Sequence, residues 1–458
     1  MARRLISRRG LLRRMTAVGV GVLAASAASA CQYVPGLKRE TNIRFWWVQQ
    51  FTGVTGKEDP QQAKPTDFAD WLIKGFSEKN PSIKVEREVL AFNDLRPKLN
   101  TAAAAGTGGP DIFYEAASNL RKYAFLGVLE PIDSYVTPQD LSDFYQLFID
   151  QITVQGKKYY WPIFTAGTAL VANRKVFQEL KIEDLLPRSE ERTWSFEQFR
   201  EATRAVTRDG RHAWGLGLAD RPGDYHVHAF PWGHGAKMFS DDGARYTFNS
   251  EEAAAGIQYL ADLANTQKTL VPGTAGLTWT DLTQLFMQRK VAFLAGALGT
   301  KNTVDAAIKS QNIPGDSIEL YPLAYPSKSG ISPQHYSESG GVAVWQNKDR
   351  AVIDASMQLG KYMTSPELIK HICTAAGWPP SRKSVGDIFA DDPYGQYVSR
   401  AASRWGNPDV LQLGYYDLRP VILPMYQGII SGKVQVKPAL AESVQPAQQI
   451  IDKLRSGK

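Results

Sequence analysis

Apolar positions along this chain switch repeatedly between two periods, and the switching predicts its elements. Asn42 to Trp47 is a short β-rich run. Phe68, Trp71, Leu72 and Phe76 recur at helical spacing. They predict a helix that stops near Asn80-Pro81, since a residue before proline is pushed out of the helical region. Ile83, Val85 and Val89 then sit at the even spacing of a strand. Asp94 to Ala105 predicts a second helix, ended by Gly106 and followed by the apolar run of Gly109-Pro110-Asp111-Ile112-Phe113-Tyr114. This β-α-β-α-β rhythm predicts an α/β fold with a parallel sheet covered by helices on both faces.

The rhythm resumes in mid-chain. Ser195-Phe196-Glu197-Gln198 reads as a capping box opening a helix with an apolar stripe of Phe199, Ala202 and Val206, which Gly210 is expected to close. Asp242-Gly243, between Met238-Phe239 and Tyr246-Thr247-Phe248, reads as a hairpin turn. Glu251 to Ala264 and Asp349 to Met363 are amphipathic helices. No internal repeat or low-complexity tract interrupts the pattern, and about 425 residues beyond the amino-terminal leader predict two or three domains.

The leader has its own pattern. Ser7-Arg8-Arg9-Gly10-Leu11-Leu12-Arg13 is a twin-arginine motif, followed by fifteen small and apolar residues from Thr16 to Ala30. A spanning helix needs about 20 apolar residues, so residues 1–30 read as an export signal. Ala28-Ser29-Ala30-Cys31 resembles the bacterial lipobox, with Ala28 where leucine is usual, and predicts lipid attachment at Cys31. Residues 31–41 read as a polar tether. With only Cys31 and Cys373, lipidation leaves one thiol and no internal disulfide. The full chain carries 53 Lys+Arg against 46 Asp+Glu, but six arginines and no acid lie in residues 1–30, so the remainder is 47 − 46 = +1. The basicity belongs to the export signal and gives no reason to expect a nucleic-acid partner.

Beyond the tether, the segments resemble the extracellular solute-binding proteins of the maltose-binding type, which serve ABC importers. The matching pieces follow the family's order. They are Ile43-Arg44-Phe45-Trp46-Trp47, then Phe76-Ser77-Glu78-Lys79-Asn80-Pro81-Ser82-Ile83-Lys84-Val85, Lys98 to Gly106, Gly109-Pro110-Asp111-Ile112 and Gly127-Val128-Leu129-Glu130-Pro131-Ile132-Asp133. Tyr159 to Asn173 resembles the strand that crosses to a second lobe. Thr193-Trp194-Ser195-Phe196-Glu197-Gln198-Phe199, Phe286 to Phe293 (with Arg289 for the family's glycine), Ser339-Gly340-Gly341, Gly377-Trp378-Pro379-Pro380 and Ser431-Gly432-Lys433 complete the series. The resemblance implies a type II periplasmic-binding fold with a ligand cleft between two lobes. The lobes would divide as residues 42–160 and 322–385 for the first, and 161–321 and 386–458 for the second. It further implies a monomer without cofactor or metal that captures a carbohydrate and hands it to ABC permease subunits. The protein would sit outside the cytoplasmic membrane, held there by its lipid.

Sugars are recognised by aromatic faces and by planar hydrogen-bonding groups, and the resemblance places such residues in the cleft. After the first strand come Trp47 and Gln49; alternation sends one of Trp46 and Trp47 to the core and leaves Trp47 for the site. The turn after Gly109-Pro110-Asp111-Ile112 offers Glu115, Ser118 and Asn119, with Asp111 a structural turn residue. Asp224, Tyr225 and Trp232 lie in a contact segment of the second lobe, Trp279 precedes the Phe286 helix, and Gly296 follows an apolar strand. Trp378, Tyr416, Asp417 and Arg419 complete the set. Arg419 stands where maltose binders have a stacking aromatic, and Ala166 where they have an acid. Both departures point away from a maltose-like ligand.

Three alternatives stay open. The same fold could hold a glycerophosphodiester, a polyamine or another small polar solute. A secreted glycoside hydrolase needs only two carboxylates at suitable separation, although the segment order weighs against it. His226, His228 and His234 form the one histidine cluster, but residues two apart on a helix point apart, which argues against zinc.

Overall fold

A seven-stranded mixed sheet organises the described residues. The computed structural model describes residues 40–49, 64–219, 223–297 and 299–456. The leader, Cys31 and most of the tether lie outside them. Strand β1 (Thr41–Val48) lies next to one edge of the sheet, pairing in parallel with the edge strand β2 (Ile83–Leu90) on one side and with β3 (Ile112–Ala116) on the other. Helices α1 (Asp67–Lys79) and α2 (Phe92–Ala105) make the crossovers. α1 ends where the Asn80 N–H turns back to the Phe76 carbonyl, and α2 ends at Gly106 with φ of 65°, a left-handed conformation that glycine adopts without a Cβ clash. Asp111 ties β1 to β3: its Oδ2 accepts from the Arg44 N–H at 2.7 Å.

The parallel pattern ends at β3. The strand Ser337–Val344 pairs antiparallel with β3 and also with Tyr160–Asn173, a crossing strand of 14 residues. Residues 160–167 of the crossing strand bond to residues 337–343. From Thr168 onward it bonds instead to the strands Phe293–Ala297 and Leu320–Leu323. The seven-stranded sheet is therefore parallel at one end and antiparallel at the other.

Two large apolar clusters sit along this sheet. One draws on β1, β2, β3 and their helices together with residues 342–385, and includes the buried Cys373. The other draws on residues 170–325 and 410–451. Ile163 and Phe164 belong to the first, and Leu170 and Ala172 to the second, so the crossing strand carries the chain between them.

Local expectations meet the structure unevenly. The capping box at Ser195 forms in both directions, with Gln198 N–H to Ser195 Oγ at 3.2 Å and Ser195 N–H to Gln198 Oε1 at 2.8 Å. Its helix stops at Val206, though, four residues before Gly210, where Thr207 leaves the helical region with ψ of 88°; Asp209 and Gly210 turn left-handed in the loop that follows. The helix from Glu251 ends at Ala261 and passes into a π turn over Asp262–Thr266. Asp242-Gly243 does form a turn, with Gly243 at φ of 66°, but it joins one bridge, Phe239 to Tyr246, rather than two strands. No helix among the described residues is long and apolar enough to cross a membrane.

Candidate functional site

Beyond the carboxyl end of β3, the chain turns directly into α3 (Ala117–Phe125) and gathers charged groups in an apolar setting. Glu115 is fully buried and meets Arg96 of α2, with Arg96 Nε donating to Oε2 at 3.3 Å. Burial opposes the charge on Arg96, yet Glu115 beside it holds its pKa above the ordinary value. Lys122, one turn into α3, is buried and donates to both carboxylate oxygens of Asp417, at 3.0 and 3.2 Å, and to Asn100 at 3.1 Å.

The opposite wall comes from two helix starts. Asp224 opens the helix Asp224–Gly233, and Arg419 opens Arg419–Ile430. They form a buried bidentate pair at 2.9 and 3.0 Å, the geometry in which a guanidinium fork fits a carboxylate best. Arg419 also lies 4.3 Å from the Tyr416 ring centre and 4.9 Å from that of Tyr225, while Arg96 covers Tyr416 at 4.2 Å. Tyr225 stacks flat on Tyr336, with centroids 3.6 Å apart. A cavity of about 430 Å³ opens here, lined by Arg96, Asn119, Lys122, Tyr416, Asp417 and Arg419 among others. The buried Asn119 Nδ2 has no hydrogen-bond partner among the described protein atoms.

Of the residues picked from sequence, Glu115, Ser118, Asn119, Asp224, Tyr225, Tyr416, Asp417 and Arg419 come together here. Arg96, Asn100, Lys122, Tyr336 and Glu338 belong with them and were not picked. Glu338 is instructive. It faces Ala166 across the strand pair, so the two side chains share a sheet face. The carboxylate expected at 166 from the family pattern stands on the neighbouring strand instead.

Trp279 and Trp378 go elsewhere, to a second cavity of about 430 Å³ with Thr280, Thr283, Thr300 and Thr303 on its walls. Trp279 stacks on His226 with centroids 5.0 Å apart, and Trp378 meets Phe164 at a tilt with centroids 4.1 Å apart. Gly296 sits in mid-strand near this cavity. A Cβ there would come within 2.5 Å of the Val171 side chain, so the glycine serves close packing of backbone on side chain.

Two tryptophans require correction. Trp47 is fully buried between Phe68 and Tyr114, at 5.3 and 4.9 Å. β1 is covered on both faces, so Trp46 and Trp47 are both interior and alternation has no solvent side to select. Trp232 is equally buried in the second cluster, where its indole N–H donates to Asp409 at 3.0 Å. Burial pushes the Asp409 carboxyl up to about 6. Gln49, at the end of β1, is exposed.

The histidines do not converge. His226 Nδ1 meets the Tyr325 hydroxyl, His228 Nδ1 the Tyr415 hydroxyl and His234 Nδ1 the Phe230 carbonyl. Among the described residues no group of three or more His, Cys, Asp or Glu could hold a metal ion.

Comparison with known proteins agrees with this architecture. A solute-binding protein from Thermotoga lettingae, solved with α-D-tagatose, superposes with a TM-score of 0.73 at 18% identity, over 90% of this chain and 100% of that one. Maltose-bound T. maritima MalE3 also gives 0.73, at 16% identity over 90% and 100%. Likeness at that level of identity establishes the two-lobed fold. In sequence, a Brucella abortus (strain 2308) protein named as a binding protein is 25% identical over 246 residues, 53% of this chain and 57% of its own length. The maltotriose-binding protein of Pyrococcus abyssi is 36% identical over 86 residues, 19% of each. The model of the bacterial extracellular solute-binding protein family matches residues 71–401, and the chain belongs to that family.

Proposed function

We propose that the protein is the extracytoplasmic substrate-binding component of an ABC importer and that it captures a neutral carbohydrate. One observation carries the choice of ligand class. Each cation lining the first cavity is already bonded to a carboxylate: Arg96 to Glu115, Lys122 to Asp417 and Arg419 to Asp224. Such a wall presents planar donors and acceptors to hydroxyl groups without a surplus positive charge for a phosphate. The indoles of Trp279 and Trp378 in the second cavity are surfaces on which an apolar pyranose face can stack. The tagatose, maltose and maltotriose in the names of the similar proteins point the same way. The ligand would bind the closed lobes preferentially and so shift the population toward closure. The twin-arginine motif of the leader and the lipobox-like Cys31 support export to the outer side of the cytoplasmic membrane and a lipid anchor there, beside a permease.

A thermal-shift screen tests this reading, using mono-, di- and oligosaccharides, polyols, glycerophosphodiesters and polyamines. A true ligand at a hundredfold excess over its Kd adds about 2.7 kcal/mol of stability, and the sugar recovered afterwards is unchanged. Stabilisation by a glycerophosphodiester or polyamine alone would overturn the carbohydrate assignment. Release of a cleaved product would overturn the binding role itself.

A further inference from the structure

Glu338 is buried in the strand Ser337–Val344, and its carboxylate is bonded from two directions. Its Oε2 accepts the Ser118 backbone N–H at 3.0 Å and also the Ser118 hydroxyl. Its Oε1 accepts the hydroxyls of Tyr336 and Tyr416. With the Tyr416 proton committed to Glu338, the Tyr225 hydroxyl donates to the Tyr416 oxygen at 3.1 Å. Ser118 stands in the first turn of α3, whose Ala117 and Leu120 belong to the first apolar cluster. Tyr416 belongs to the second cluster. One carboxylate on a connecting strand therefore takes hydrogen bonds from both halves of the molecule.

We propose that Glu338 is a positioning residue that holds the two halves together in the absence of ligand and sets the orientation of the Tyr416 ring beneath Arg96 and Arg419. Moving the halves apart strips the carboxylate of Ser118 or of Tyr416. A buried charge with missing donors is unfavourable, and hydrogen bonds to charged groups are the strong ones. The network therefore favours the joined arrangement before any solute enters. Glutamine at this position keeps the volume but loses the charge and one of the two acceptor oxygens, so it cannot accept from Ser118 and from the two tyrosine hydroxyls at once.

The inference rests on the two-lobed fold and needs no sugar for its test. Small-angle X-ray scattering on the ligand-free protein compares wild type with Glu338→Gln and Tyr416→Phe, and far-UV circular dichroism checks that each is folded. Loss of a charge-assisted hydrogen bond should lower the ratio of joined to separated forms about ten- to a hundredfold, seen as a larger radius of gyration in both variants. Folded variants with an unchanged radius of gyration would overturn the proposal. If Glu338→Gln does not fold, Tyr416→Phe decides alone, since it removes a single hydroxyl. A failed sugar screen would leave this measurement untouched.

Discussion

The cavity beside Arg419 and the cavity beside Trp279 are similar in size but built on opposite principles. Around Arg419, the charged groups are paired with one another: three ion pairs, with a stack of two tyrosines and a shared carboxylate beside them. Around Trp279 and Trp378, the walls are indole faces and threonine side chains. The first arrangement is rigid, because breaking any partner leaves a buried charge behind. The second has little electrostatic commitment and presents contact area. On the proposed function, geometry in the first should set which hydroxyl pattern is accepted, and the second should add affinity with less discrimination.

Substitutions can break or sharpen that contrast. The largest effect is expected from Arg419→Ala, which strands the buried Asp224 and should cost about 3–5 kcal/mol in urea unfolding, with saccharide binding lost. Asp224→Asn in the same chain should restore part of the stability; no restoration would show that the pair is not the cause. Trp232→Ala should cost a similar amount, about 3–5 kcal/mol, through the void left in the second cluster. The surviving folded fraction should bind sugar as wild type does. An intact fold with lost affinity would return Trp232 to the binding site.

Acid sharpens the contrast through groups outside both cavities. Burial lowers His226 to about 3 and His228 to about 4, so the native state refuses protons that the unfolded chain takes up below about 6.5. Stability from these two is full at neutral pH and falls as pH drops, by about 1.4 kcal/mol per unit for each. Asp409, raised to about 6, acts oppositely between its unfolded value of 3.8 and 6. Two histidines against one carboxyl leave a net loss of about 1.4 kcal/mol per unit between pH 6 and 4. Urea midpoints across that range test the sign, and a rise toward acid would contradict it. The smallest effects belong to Trp279→Ala and Trp378→Ala, each weakening saccharide binding by about 1 kcal/mol without changing which sugar is preferred. Calorimetry showing altered preference would mean that the indoles discriminate as well.

The sequence carried a good part of this arrangement, unevenly. Helix α1 and strand β2 were legible because hydrophobic period and chain-breaking residues agree there, whereas the crossing strand was legible only through its resemblance to the family. Glu115, Asp224 and Arg419 were legible through the order of family-like segments. Trp47 misled because a tryptophan on a strand covered from both sides looks the same in sequence as one at an edge. Lys122 was hidden because its partner Asp417 lies 295 residues away, and Glu338 because Ser118 lies 220 residues away. Local pattern reports which face of an element is apolar. It does not report which distant charges meet there.

The crossing strand Tyr160–Asn173 has a consequence for folding. One uninterrupted backbone supplies hydrogen bonds to both ends of the sheet, residues 160–167 toward one cluster and 168–173 toward the other. Unravelling either half removes a ladder partner from the strand that the other half needs. The halves are thus coupled in unfolding, and heating should melt them in one transition rather than two.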